Sequence, residues 1–351
     1  MIRFIFAHEK LFSTHWDQFV SNNKVTWRYT YDWQKFLAIN AEKTINKNLS
    51  FIIVREKIPI ALCTLFLENI SDIVQFSIRN GYLNAPIYAD NLQSKDKKEI
   101  EQLCFMKIDE LAKKHKVRKC MFLIDPLSRK ETFNYLIKYQ YLDSSINTNI
   151  VNLNENIEEL WSKLRKSYRS IIKCNQDKYR IFIMNSKNAD KKIHEIYRNL
   201  HHKAAGKVTR PRETFDIEFD MLQKNYATLI CLMEKEQYIA VSYFYHNGTG
   251  VYYGSSADDP ELTHNIPYEH SILWSAIEYF KKTGFTGFEL GWQHFSQQLF
   301  DQPSKKEIDI SFFKRGFGGT NYPLFRGIKY YNHTLMKKEC NDAILLLEQS
   351  T

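Results

Sequence analysis

The chemistry-bearing residues of this chain gather in two short segments near its C-terminal end. Phe288-Glu289-Leu290-Gly291-Trp292 sets one carboxylate inside an apolar run, and Phe313-Lys314-Arg315-Gly316-Phe317-Gly318-Gly319 drives two cations between phenylalanines and then into glycines. A carboxylate buried without a partner costs several kcal/mol, so Glu289 needs either a counter-ion or a task. Glycine lets backbone approach a ligand closely or adopt positive φ. Acyl transfer to an amine calls for these groups: the amine must lose a proton, and the tetrahedral oxyanion needs a positive partner. Lys314 fits the cation, stabilising the oxyanion or holding the donor's carbonyl. Glu289 fits the proton acceptor or the group that orients the amine, with a purely structural pairing to a nearby lysine as the alternative. Both segments are expected at neighbouring strand ends.

A second group of candidates is basic. The loop Lys203-Ala204-Ala205-Gly206-Lys207-Val208-Thr209-Arg210-Pro211-Arg212 precedes a helix expected from Thr214. Cations beside a helix start suit a phosphate or diphosphate clamp built from Lys207, Arg210 and Arg212. His201 and His202 have no carboxylate or cysteine at fixed spacing and read as loop residues. Lys163, Arg165, Lys166, Arg169 and Lys173 make another basic face; Arg165 and Arg169 are one turn apart and can reach one anion, although a solvated face is the simpler reading.

The rest of the chain must position these groups. At 351 residues it is too long for one ordinary core and fits two domains, expected at 1–148 and 149–351. With 44% apolar and 15% aromatic residues, wholesale disorder is excluded. No apolar run is long enough to span a bilayer, and the first residues read as a strand rather than a signal peptide. Cys63, Cys104, Cys120, Cys174, Cys231 and Cys340 are scattered, which argues against a disulfide framework or a zinc site and for a reducing cytoplasm. The net charge of +9 points to an anionic partner: nucleic acid, an anionic membrane surface or a phosphorylated small molecule. Lysine excess that merely solvates the surface is the alternative.

Periodicity gives both halves a mixed α/β character. In the first, strands are expected over 51–54, 58–67, 73–78, 120–124 and 149–153, with helices over 95–115 and 129–140. In the second, one helix is expected over 157–174, a strand over 179–184, helices over 191–202 and 214–225, and strands over 227–234, 238–246 and 250–256. A helix over 267–282 has Pro267 in its first turn and Gly284 past its end. Strands over 285–292 and 308–313 and a helix over 332–347 complete the pattern.

The strand-hairpin-strand-helix-strand order of the second half is that of the GNAT acyltransferase fold. With the F-E-L-G and F-K-R-G-F-G-G elements, and a Trp33-Gln34-Lys35 segment in the first half, the chain resembles the FemABX family. That resemblance implies an α/β (α+β) protein of two tandem GNAT-like domains, each a mixed twisted sheet flanked by helices. It implies transfer of amino acids from aminoacyl-tRNA onto an amine of a peptidoglycan precursor. The chain is also similar to FemAB-like proteins of surface polysaccharide and lipid synthesis. By resemblance Phe313-Lys314 sits at the transfer site, Lys35 and Arg315 join the substrate-binding residues, and Tyr252, Tyr253 and Ser255 lie on the strand that splays to admit substrate.

One absence bears on the donor. Residues 257–265, where CoA-dependent GNAT enzymes carry a glycine-rich loop, contain no glycine and include Asp258, Asp259 and Glu261, which would repel a diphosphate. The leading expectation is an acyltransferase moving an aminoacyl or acyl group onto an amine of a cell-wall or surface-polysaccharide precursor. Aminoacyl-tRNA is the expected donor, and no cofactor is permanently bound. The alternatives are an acyl-CoA-dependent N-acyltransferase acting on a nucleotide-linked amino sugar, and a non-catalytic tRNA-binding protein. An anionic small-molecule or lipid-linked sugar acceptor, tRNA and a peripheral membrane surface are the partners expected, DNA and metal are not.

Overall fold

The computed structural model describes residues 2–128, 131–262 and 267–350. The chain divides into two compact units. One comprises residues 1–147, 294–305 and 323–351, the other 148–293 and 306–322. This differs from the expected single division at 148. The physical reason is strand insertion: Arg326–Tyr330 pairs with Lys119–Leu123 on one side and Leu142–Asp143 on the other, drawing the end of the chain into the first unit.

The first unit holds two ladders rather than one sheet. Ile2–Phe6, Phe51–Arg55, Ile58–Cys63 and Ile87–Tyr88 form a four-stranded sheet, and Phe66–Ile70 joins a second sheet with Ile45–Asn48 and Ile73–Phe76. The strand expected over 58–67 therefore breaks at Thr64 and Leu65 and serves both ladders. Trp16, Phe19, Ile52 and Leu62 fill one core and Phe51, Phe66, Phe105 and Phe122 another. The helix expected over 129–140 is a short 3-10 turn at Tyr135–Tyr139, while residues 129 and 130 lie outside the described residues.

The second unit carries the candidate site. Its elements in chain order are β1 (Ile146–Asn152), α1 (Ile157–Lys163), α2 (Lys166–Gln176), β2 (Arg180–Met184), α3 (Lys191–Ala205), α4 (Arg212–Gln223), β3 (Ala227–Glu234), β4 (Gln237–Asn247), β5 (Gly250–Asp258), α5 (Tyr268–Lys282), β6 (Gly287–Gln293), α6 (Lys305–Arg315) and β7 (Thr320–Leu324). The spatial order is β2-β3-β4-β5-β6-β1-β7. The neighbours β2, β3, β4 and β5 pair antiparallel, whereas β5 and β6 are parallel and need α5 as their crossover. That parallel pairing covers only Gly250↔Gly287, Val251↔Phe288 and Tyr252↔Glu289. Beyond it β5 runs on to Asp258 and β6 to Gln293 with no mutual pairing, leaving a mouth between their C-terminal ends.

One expected helix and one expected strand change. The helix expected over 157–174 breaks at Leu164 and Arg165, where Leu164 enters the core and the Arg165 amide donates to the Gly316 carbonyl at 2.8 Å. The strand expected over 308–313 is instead helix α6. The alternation Ile308-Asp309-Ile310-Ser311-Phe312 mimics a strand, but Ile310 and Phe312 are exposed and the buried residue is Ser311. Ser311 Oγ donates back to the Glu307 carbonyl one turn earlier, the local bond of a helical serine.

The break and α6 are locked together. Tyr168 Oη donates to the Phe313 carbonyl at 3.1 Å, Arg165 donates to Tyr168 Oη and to the Phe312 carbonyl, and the Tyr168 ring packs on Phe313 and Phe317. A Cβ added at Gly316 would fall 2.2 Å from a Tyr168 ring carbon. Gly316→Ala is expected to destabilise the protein by about 1–3 kcal/mol through overpacking, read as a lower denaturant midpoint with an unchanged slope.

Candidate active site

Strand alternation builds the mouth. Along β6, Phe288 and Leu290 enter the hydrophobic core, so Glu289, Gly291 and Gln293 share the opposite face. Glu289 is fully buried and accepts a hydrogen bond from Thr148 Oγ1 at 2.9 Å. Gly291 has φ +105°, a conformation that glycine adopts without strain. A Cβ there would stand 2.8 Å from Lys314 Nζ and 3.8 Å from Tyr252 Oη. The missing side chain is therefore the space into which the lysine reaches.

Helix α6 delivers that lysine from its last turn, not from a strand end. Arg315 Nη1 donates to Gln293 Oε1 at 3.0 Å, and Ser311 Oγ meets the Trp292 carbonyl at 3.5 Å, so α6 is tied along β6. Phe313 anchors the turn among Tyr168, His270 and Phe317. Among the described residues Lys314 Nζ has no hydrogen bond or ion pair; the Tyr253 ring lies 5.8 Å away. Burial pushes the Lys314 ammonium down to about 8, with the Glu289 carboxylate opposing the shift. The negative end of α6 also favours a cation in this turn.

Helix α5 closes the other side. Glu269 in its first turn accepts from Ser256 Oγ of β5 at 2.8 Å and from Ser242 Oγ of β4 at 3.0 Å. Burial holds its carboxyl above the usual range, with the hydroxyls around it opposing. Desolvation likewise keeps the Tyr253 phenol protonated well past its ordinary value.

Among solved structures, FemX superposes with a TM-score of 0.64 at 12% identity, covering 95% of this chain and 99% of that one. This is the FemX fold. The C-terminal domain of a putative lysylphosphatidylglycerol synthetase from Agrobacterium fabrum gives 0.61 at 11% identity, covering 96% and 95% of the two chains. L-PGS from Bacillus licheniformis gives 0.56 at 12%, covering 86% and 92%. No family model and no curated protein sequence matches.

Within the FemX fold the sequence-read candidates separate into two sets. Lys314, Glu289, Phe313, Tyr252 and Tyr253 come together at or beside the mouth. Ser255, on β5, accepts from Tyr197 Oη at 2.8 Å, and Arg315 is engaged by Gln293. The expected phosphate clamp does not assemble. Arg210 is largely buried and donates to both oxygens of the fully buried Glu218, at 2.6 and 3.0 Å, and to Tyr197 Oη at 2.8 Å. Arg212 meets Glu195, and Lys203 meets Asp259 and Glu261; Lys207 is exposed. Arg210, Arg212 and Lys203 carry their own counter-ions. Arg165 and Arg169 are likewise spent on backbone, the latter on the Ser162 carbonyl. Lys35 belongs to the first unit, 3.5 Å from Asp32 and over the Tyr31 ring.

Glu269 is the residue that sequence reading missed. Following Pro267 and Tyr268, it resembles an ordinary first-turn acid favoured by the helix dipole. Only the fold brings it against serines of two strands. Arg210→Ala is expected to cost about 3–5 kcal/mol of stability by stranding the Glu218 charge, whereas Lys207→Ala should shift stability by no more than about 0.5 kcal/mol. Urea unfolding of the two variants measures the contrast.

Proposed function

We propose that the chain is an acyltransferase that moves an aminoacyl or acyl group onto an amine of a cell-wall or surface-polysaccharide precursor, with aminoacyl-tRNA as donor. The observation that carries this reading is the Lys314 ammonium, reaching through the space at Gly291 into the mouth between β5 and β6. A buried cation without a protein anion in contact is costly unless a ligand supplies one. A developing oxyanion at the acyl carbonyl is such an anion, and it appears only as the transition state forms, when its stabilisation accelerates the reaction. Glu289 then acts as the charge that keeps the lysine protonated.

The donor assignment rests on charge. Asp258 ends β5, Asp259 and Glu261 follow it and share the single Lys203 ammonium, and Glu269 occupies the first turn of α5. Thr263, His264 and Asn265 of the expected loop lie outside the described residues. Carboxylates at this helix start disfavour the diphosphate of CoA, whereas the terminal ribose of a charged tRNA presents a neutral ester there. The names of the similar structures, FemX and lysylphosphatidylglycerol synthetase, accord with aminoacyl chemistry.

Incubation with charged tRNA, acyl-CoA and amine acceptors, scored by donor consumption, tests the proposal. Acceptor-dependent loss of aminoacyl-tRNA is expected; consumption of acyl-CoA alone would reassign the donor, and consumption of neither would overturn the reading. Lys314→Ala should fold normally and lose about 10²–10³ in kcat. In the wild type, kcat should fall as pH rises through about 8, because the required form of Lys314 is the charged one. A rate that climbs through that pH with Lys314 dependence would make the lysine a base instead.

A further inference from the structure

We propose that the groove between α1, α2 and α5 is a carbohydrate-binding site that takes a neutral sugar ring; this goes beyond the acyl-transfer reading and does not depend on it. The groove lies entirely within the second unit and measures about 350 Å³, inside the range of roughly 300–1,000 Å³ usual for small-molecule sites. Each helix contributes two side chains at helical spacing: Glu158 and Trp161 from α1, Lys173 and Gln176 from α2, Trp274 and Glu278 from α5. The break between α1 and α2 lets both helices face α5. Beside the groove, Asn175 Nδ2 donates to Ser271 Oγ at 3.1 Å and fixes α2 against α5.

The groove has an aromatic floor. Trp161 and Trp274 pack edge to face, with ring centroids 4.9 Å apart and planes at 64°. Trp274 is buried and Trp161 half-buried, so the Trp161 indole keeps surface open to the groove. The charges around this floor are uncommitted. Among the described residues Lys173 Nζ meets no carboxylate and lies 5.9 Å from the centre of the Trp161 ring, while Glu158 and Glu278 meet no cation. Opposite charges thus line one groove without closing on each other. Elsewhere in the unit such groups pair, as Lys163 does with Glu155, Lys191 with Asp216 and Arg210 with Glu218.

That mixture selects the ligand class. A sugar ring presents an apolar C–H face that packs on an indole and an edge of hydroxyls that each donate and accept. The Glu158 and Glu278 carboxylates suit the hydroxyl hydrogens; the Lys173 ammonium and the Gln176 amide suit the hydroxyl oxygens. Bonds to the charged groups are the stronger ones. A nucleotide also offers a flat ring to a tryptophan, but its phosphate would meet two carboxylates against one ammonium. A cationic peptide side chain would satisfy the carboxylates and be repelled by Lys173.

The test uses the full chain labelled with fluorotryptophan, its six indoles followed by fluorine NMR and assigned with single Trp→Phe variants. Glucose, galactose, N-acetylglucosamine and their β-linked disaccharides are the probes. At least one is expected to shift the Trp161 and Trp274 resonances saturably, with a millimolar or tighter Kd, while the remaining indoles stay in place. Lys173→Ala and Glu278→Gln, at exposed positions, should fold as wild type and each weaken binding about tenfold. Trp161→Ala should abolish binding. Lys314→Ala should bind the sugar with unchanged affinity, so this proposal and the acyl-transfer reading fail separately. No saturable shift with any of these sugars overturns the proposal, as does a shift that survives Trp161→Ala. If Trp161→Ala does not fold, unchanged binding in both Lys173→Ala and Glu278→Gln overturns it. The peptide Gly-Lys-Gly shifting both indoles where no sugar does would also overturn it and make the groove a protein-docking site.

Discussion

The site depends on one constraint: an ammonium held out of water without a protein anion in contact with it. Moving Lys314 from solvent into the mouth between β5 and β6 disfavours its charge, and the buried Glu289 on the facing strand returns part of what burial removes. The balance leaves a lysine that is charged at neutral pH yet close to losing its proton. Such a group interacts strongly with an anion that forms beside it, because low local dielectric strengthens the interaction and little water must be displaced. A fully paired lysine would have spent that interaction on the folded protein.

Much of the second unit serves to keep that lysine in place. Gly291 removes the side chain that would collide with it, and the Arg315–Gln293 bond ties α6 along β6. On the far side of α6, the break between α1 and α2 brings Arg165 and Tyr168 onto the carbonyls of Phe312 and Phe313. Those bonds satisfy carbonyls at the end of a helix, where intrahelical partners run out. The glycines after Arg315 are equally constrained, since added side-chain atoms at Gly316 and Gly319 would strike Tyr168 and Asn149. The F-K-R-G-F-G-G segment thus places a cation in its first half and allows close packing in its second.

The hairpin strands, the helix after Pro267 and the apolar strand bearing Glu289 were legible because their burial follows their periodicity. Helix α6 was not, because Ile310 and Phe312 face outward while Ser311 packs inward, so hydrophobic alternation there carries no information about the core. The basic loop misled for a related reason. Sequence shows Arg210 and Lys203 but not that Glu218, eight residues on, and Asp259 and Glu261, far along the chain, are folded against them. Charge density in a sequence indicates an anion-binding surface only where the counter-ions are elsewhere. Glu269 fails in the opposite direction: an acid in a first helical turn is commonplace, and only strand placement reveals its two serine partners. The return of residues 323–351 to the first unit was equally hidden, since strand insertion leaves no local signal.

The central claim is that Lys314 is charged but poised, between burial and Glu289. Selective isotopic labelling of lysine, with Lys314→Arg used to assign the resonance, would follow its titration directly by NMR. The account predicts a midpoint near 8 in the wild type and a lower one in Glu289→Gln, because removing the carboxylate leaves burial unopposed. A Lys314 that titrates near the ordinary lysine value of about 10.4, indifferent to Glu289, would contradict it.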